Sequence, residues 1–200
     1  MMVQRQQIEL IAKNDFIKDD NQDPIDCSVL YLALGRQRAW HSMWKLTPMH
    51  PEQSKMLKFL ENDFTQERWS SAACKNAFAL LGKQRYSILP FFRKGVNHHA
   101  QQRHVEYAAA FFLLAGKMND AVSICQKYLQ DPQLALCLCR LMDGDHSARF
   151  STLLAQSVPK EDAFLHSVAL AWQRLHVEAA LVLMVILLRS PCCWDQMTQK

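Results

Sequence analysis

Two hundred residues, half of them hydrophobic and about a fifth charged, give enough apolar material for one or two packed domains of ordinary soluble type. Seven cysteines, an odd number with no CxxC spacing, exclude a disulfide framework or zinc ribbon and read as reduced core thiols. The longest apolar run, Ala179–Leu188, has ten residues, short of the ~20 that span a bilayer, and no N-terminal stretch has the form of a signal peptide.

In chain order, residues 1–22 are polar and become acidic from Asp15 onward; Ile8, Leu10, Ile11, Phe16 and Ile17 suit one weak amphipathic helix or a tethered strand, but the stretch is read as an N-terminal linker or partly ordered segment. Asp23-Pro24 has the form of a cap and first-turn proline, followed by a helix over Ile25–Leu34 that ends at Gly35. A second helix, Arg36–Leu46, places Trp40, Met43 and Trp44 at i, i+3, i+4; core packing explains that spacing better than a binding stripe. The proline-bracketed turn 47–51 leads to a third helix over Glu52–Leu60.

Asp63, with Gln66 three residues on, predicts a capping box for a helix that carries Trp69, Ala73, Ala77 and Leu80 on one side. Cys74, Phe78 and Leu81 lie beside them, and Gly82 is the expected stop. Tyr107–Ala115 is apolar around its whole circumference and is followed by Gly116, so that helix needs neighbours on every side. Asn119 or Asp120 is the expected cap of the next helix, with Ala121, Val122, Cys125, Tyr128 and Leu129 inward.

Asp131 caps a further helix that starts at Pro132 and runs to Gly144. A short helix at Phe150–Gln156, one capped by Asp162, and one over Val177–Leu188 complete the domain, and 191–200 reads as a polar tail. Four of the five glycines follow apolar helical runs at uneven spacings of 47, 34 and 28 residues, and no alternating run is bounded by hairpin turns. The predicted fold is therefore all-α, an irregular α-solenoid of stacked helical hairpins in a single domain over 23–190. Alanine at a helix contact lets axes approach closely, so exchanging Ala77 or Ala110 for a large side chain is expected to cost ~1–3 kcal/mol by overpacking. Denaturant unfolding measures it.

The segment 86–105 interrupts this pattern with Pro90, Gly95, three histidines and no helical period. No acidic residue occurs from Arg68 to Val105, whereas seven basic ones do; the remaining 16 basic and 19 acidic residues leave −3 elsewhere. A basic loop with Phe91 and Phe92 suits nucleic acid or anionic lipid, but a solvated surface loop is the preferred reading. There is no phosphate-binding glycine loop, HExxH, nucleophile elbow or kinase motif set. His98, His99 and His104 lack nearby carboxylate or cysteine ligands, and Asp143 with Asp145 lacks the rest of a calcium loop. No enzyme, metal or cofactor is expected.

The stretches DPIDCSVLYLALGRQRAWHSMWK (23–45), KMLKFLENDFTQERWSSAACKNAFALLGKQR (55–85) and EYAAAFFLLAGKMNDAVSICQKYLQDPQLALCLCRLM (106–142) resemble the C-terminal helical region of the DmX-like/rabconnectin family. Its fungal member is the large subunit of the RAVE complex. DAFLHSVALAWQRLHVEAALVLM (162–184) continues the likeness more weakly, and Val185–Lys200 shows little. The resemblance implies a non-enzymatic cytoplasmic scaffold, peripheral on vacuole, endosome or vesicle membranes, that promotes vacuolar H+-ATPase assembly and organelle acidification.

Implied partners are soluble-sector subunits of the pump and other RAVE/rabconnectin subunits, with no nucleic acid and membrane association only through partners. A coat- or trafficking-type helical adaptor is the alternative. The expected interaction surface is polar and outward-facing: Gln126, Lys127 and Gln130, with Arg93 and Lys94 in the basic stretch. In the family, KQR runs almost directly into EYAAAFFLLAG, so 86–105 is an inserted surface loop or a translated intron, which transcript sequencing across Gly82–Tyr107 distinguishes. The chain is expected to be a fragment of a much longer protein.

Overall fold

The computed structural model describes residues 2–18, 22–87, 98–144, 147–158 and 162–189, and among them the chain forms eleven helices and no strand. The fold is all-α. Its helices are α1 (Met2–Ile17), α2 (Ser28–Ala33), α3 (Gln37–Lys45), α4 (Gln53–Leu60), α5 (Glu67–Ser87) and α6 (His98–Leu114). They continue as α7 (Met118–Lys127), α8 (Pro132–Asp143), α9 (Ala148–Ser157), α10 (Ala163–Trp172) and α11 (His176–Arg189). The chain divides into two units, Met1–Met142 and Asp143–Lys200, where the sequence reading took 23–190 together. The tail 191–200 lies outside the described residues.

One backbone joint recurs. After α2, Gly35 adopts φ 71°, its N–H bonds to Leu32 O, and the N–H of Arg36 bonds to Tyr31 O. After α6, Gly116 repeats this at φ 71°, with its N–H on Leu113 O and the N–H of Lys117 on Phe112 O. After α10, Arg174 occupies the same place at φ 65°, with its N–H on Ala171 O and the N–H of Leu175 on Leu170 O. These are Schellman closures, and in each the next helix starts two residues beyond the left-handed one. Arginine there costs about 1 kcal/mol that glycine does not, since a Cβ is strained at positive φ.

In the first unit α6 is the central helix. It packs on α5, α7 and α2, and every residue from Tyr107 to Ala115 is buried. Ala73 and Ala77 of α5 and Ala108, Ala109 and Ala110 of α6 are completely buried, the positions at which overpacking is expected. Phe59 joins three helices, its ring edge-on to Phe64 (5.1 Å), Trp69 (6.3 Å) and Phe111 (5.8 Å). Trp40 and Trp44 are core residues, fully buried with ring centroids 6.2 Å apart.

Several expectations are corrected. Most of 1–22 is helix α1, which buries Ala12 and Phe16 and sends Arg5 to the carbonyls of Leu34 (3.0 Å) and Leu141 (3.3 Å). Residues 24–27 are a turn, so α2 begins at Ser28. Asp63 accepts from the N–H and hydroxyl of Thr65, shaping a turn ahead of α5, which starts at Glu67. Gly82 lies inside α5, which runs to Ser87 because Lys83, Gln84 and Arg85 are good helix formers.

With α6 starting at His98, the segment expected as a loop over 86–105 is helical at both ends, and 88–97 lies outside the described residues. Lys117, not Asn119 or Asp120, holds the N-cap position of α7, because the Gly116 joint fixes where that helix starts. Tyr128 is 45% exposed, since α7 ends before it could turn inward. Two caps are as expected: Asp131 Oδ1 accepts from Leu134 N–H (2.9 Å) and Asp162 Oδ1 from Leu165 N–H (3.0 Å).

Candidate interaction surfaces

Three features of the described residues face solvent or enclose polar space. The first is the end of α7. Burial of Ala121, Val122, Ile124 and Cys125 turns the opposite side outward, leaving Gln126 half-buried and Lys127 and Gln130 exposed. Gln130 takes φ 54°, and beyond it Asp131 N–H bonds back to Cys125 O at 3.0 Å. A non-glycine residue in the left-handed region is uncommon and strained, and persists where the surrounding bonds hold it there. Arg93 and Lys94, the other two expected surface residues, lie outside the described residues.

The second is a cluster of charges where the turn 24–27 meets α6. Arg103 donates through Nε to Asp26 Oδ1 (3.0 Å) and through Nη2 to Asp23 Oδ2, and His50 Nε2 stands 3.6 Å from the same Asp23 oxygen. Beside it a cavity of about 580 Å³ is lined by Asp15, Lys18, Asp26, Arg103 and Glu106, with apolar walls from Val29, Leu30 and Leu134. Burial, with Asp26 nearby, pushes the Glu106 carboxyl up to about 7. Sequence reading missed this cluster because its members come from 15–18, 23–26, 50 and 103–106, with no shared spacing.

The third is an apolar face on the second unit. On α10 the side chains of Phe164, Leu165, Val168 and Trp172 are exposed, and on α11 so are Val177 (71%), Leu181 and Met184. Among the residues of this hairpin whose side chains are described, Ser167, Ala169 and Ala179 are buried and Leu170 and Val182 half-buried. Trp172 is held edge-on to Phe150 of α9, ring centroids 6.3 Å apart. The sequence placed Leu165, Val168 and Trp172 on one face, and the structure shows that face uncovered.

The thiols offer little reactivity. Cys27, Cys74, Cys125, Cys137 and Cys139 form no disulfide, and burial pushes Cys27 and Cys125 up to about 12, so both stay protonated at neutral pH. The Tyr107 hydroxyl donates to Glu52 Oε2 (3.3 Å), and burial raises it further from ionisation. Among the described residues no three His, Cys, Asp or Glu side chains are grouped so as to hold a metal ion. No described helix is long and apolar enough to cross a membrane.

Comparison with known proteins then decides the family. The family model described as RAVE protein 1 C terminal matches residues 2–92 and 99–189, reaching from α1 into α11. The chain belongs to this family. The match breaks over 93–98, within the segment that the sequence marks as aperiodic and that includes Arg93 and Lys94.

The chain is 41% identical over 153 residues to Regulator of V-ATPase in vacuolar membrane protein 1 of Saccharomyces cerevisiae, covering 76% of this chain and 10% of that protein. It is 37% identical over 156 residues to DmX-like protein 1 of Mus musculus, covering 77% of this chain and 4% of that protein. With the Schizosaccharomyces pombe protein named as the Saccharomyces one, identity is 31% over 148 residues, covering 74% and 10%. The chain thus spans a tenth or less of these curated relatives. The family accommodates the observed α1, since its model begins at residue 2, where the sequence reading had expected a linker.

Proposed function

We propose that this RAVE protein 1 C-terminal region acts as a non-enzymatic scaffold in V-ATPase regulation, promoting assembly of the vacuolar proton pump and so organelle acidification. The observation that carries the reading is the family match from α1 into α11, together with relatives named as regulators of V-ATPase in the vacuolar membrane. The polar outward end of α7 and the buried, protonated Cys27 and Cys125 favour a role in shape and hydrogen bonding rather than in reaction. Its partners are soluble-sector subunits of the pump and other RAVE subunits, and it sits on the cytosolic side of endomembranes through them.

The end of α7 supplies the contact, with Gln126, Lys127 and Gln130 presented from a backbone fixed by the left-handed Gln130. Gln130→Gly removes that side chain while relieving the positive-φ strain, so it leaves stability unchanged or higher. The test immobilises the folded chain and measures capture of purified V-ATPase soluble sector. Capture is expected, and Gln130→Gly combined with Lys127→Glu is expected to weaken it about tenfold, a loss of ~1.4 kcal/mol. No capture by well-folded protein overturns the partner. Capture unchanged in the double variant overturns the surface.

A further inference from the structure

We propose that Glu106 and the turn 23–26 form a pH-responsive clamp between α6 and the elements that precede α2, closed while Glu106 carries a proton and loosened when it loses it. The geometry supplies the argument. Arg103 already faces two carboxylates, bonding Asp26 at 3.0 Å and Asp23 through its other nitrogen, so the group carries a net negative charge before any other residue is counted. Glu106 lies one turn further along α6 and lines the same cavity as Asp26, Asp15 and Lys18. Its ionisation adds another carboxylate to a partly enclosed space in which the one guanidinium is already shared.

The groups around Glu106 can be taken element by element. From α1 and the residue after it come Asp15, itself raised by burial, and Lys18, which pulls it back down. From the turn come Asp26 and, beyond Arg103, Asp23, with His50 at 3.6 Å as a cation only when protonated. From α2 come only the apolar Val29 and Leu30, and from α8 the apolar Leu134. From α7, Cys125 stays neutral at this pH, and Asp131, between α7 and α8, lies close enough to affect that thiol. On α6 itself, Gln102 hydrogen-bonds the Glu106 carboxyl and Arg103 attracts it. Acids outnumber the fixed cations, and burial with Asp26 keeps Glu106 protonated up to about neutrality.

The direction follows from proton linkage. Glu106 binds its proton more tightly folded than unfolded, so its contribution to stability is full below its ordinary value of 4.5 and is lost as pH rises through about 7. The part that yields is the α1 end and not α6, because α6 is braced by α5 and α7 while the turn is tied through Trp40 Nε1 to Pro24 O at 2.8 Å. A rise in pH across neutrality therefore loosens the region around Asp15 and Lys18 first.

Hydrogen–deuterium exchange of the full 200-residue chain, corrected for intrinsic rates, tests this. Between about pH 6 and about pH 8, opening of peptides covering 12–18 is expected to rise several-fold, up to about tenfold at the linkage limit. Glu106→Gln should flatten that rise while leaving exchange in α10 unchanged. A rise of the same size in Glu106→Gln overturns the proposal, as does a wild-type chain with no rise. Carbon-detected titration of glutamate side chains in the wild-type chain gives a second reading that needs no variant. A glutamate carboxyl titrating between about pH 6 and about pH 8 and moved lower by Asp26→Asn supports the clamp, and none titrating there overturns it.

Discussion

Replacing Trp40 with alanine is expected to destabilise the chain by about 3–5 kcal/mol, a large part of the ~5–15 kcal/mol that holds a typical domain folded. The indole is completely buried, so the variant loses its transfer free energy and leaves a cavity that the surrounding helices cannot fully close. It also leaves Pro24 O with only the weak Cys27 thiol donor (3.4 Å), because Trp40 Nε1 donates to that oxygen at 2.8 Å and so fixes the turn that precedes α2. Trp40→Phe separates the two effects: it keeps most of the volume but loses the bond, and about 1–3 kcal/mol is expected. Trp44 offers the contrast, since its Nε1 has no partner among the described residues. Denaturant unfolding followed by circular dichroism measures both variants. A Trp40→Ala loss below about 1 kcal/mol would show that the indole does not occupy this interior.

Arg5→Ala is expected to cost about 2–3 kcal/mol, an effect that no reading of the N-terminal sequence suggests. The guanidinium spans two helix ends, donating to Leu34 O at the end of α2 (3.0 Å) and to Leu141 O in the last turn of α8 (3.3 Å). Carbonyls in a last turn have no partner within their own helix, and a cation there also meets the negative end of the helix dipole. Removing the side chain strips both ends at once and detaches α1 from the two helices it joins. Arg5→Lys is the informative control. Lysine retains the charge but reaches one carbonyl at a time, so it should recover less than half of the loss. Full recovery by lysine would mean that the fork geometry contributes nothing.

The contrast between Arg5 and the glycines shows which parts of this fold are legible in sequence. Gly35 and Gly116 announce their joints because a left-handed residue after an apolar run is most often glycine, and both are at φ 71°. Asp131 and Asp162 announce caps because their acceptors act within three residues. Tyr107–Ala115 is legible because an apolar circumference has no stable place except an interior. Each of these signals is local.

What was missed depends on distant partners or on a local rule being broken. The joint at Arg174 has the same backbone as the glycine joints but the wrong residue type, so nothing marks it. Gly82 has the right residue type in LLGKQR, yet helix-forming neighbours carry α5 through it. Helix α1 lacks a clear apolar stripe and is secured by Arg5 across 29 and 136 residues of sequence. The outward position of Lys127 was legible from the period of α7, whereas Gln126 is half-buried and Gln130 lies beyond the end of that helix. The outward Leu165, Val168 and Trp172 were not legible, because an apolar side chain in a helical pattern reads as inward whether or not a neighbour exists to cover it.

The enclosure of α6 also dictates how the first unit breathes. A helix flanked by α2, α5 and α7 cannot swing out alone, because each of its faces belongs to a different contact. Its amides between Tyr107 and Leu114 are released to solvent only when the whole unit comes apart, so they form the slowest-exchanging foldon. Fluctuations of lower energy must start at the periphery and stop at this rod, against which α7 packs directly while α1 packs on α2.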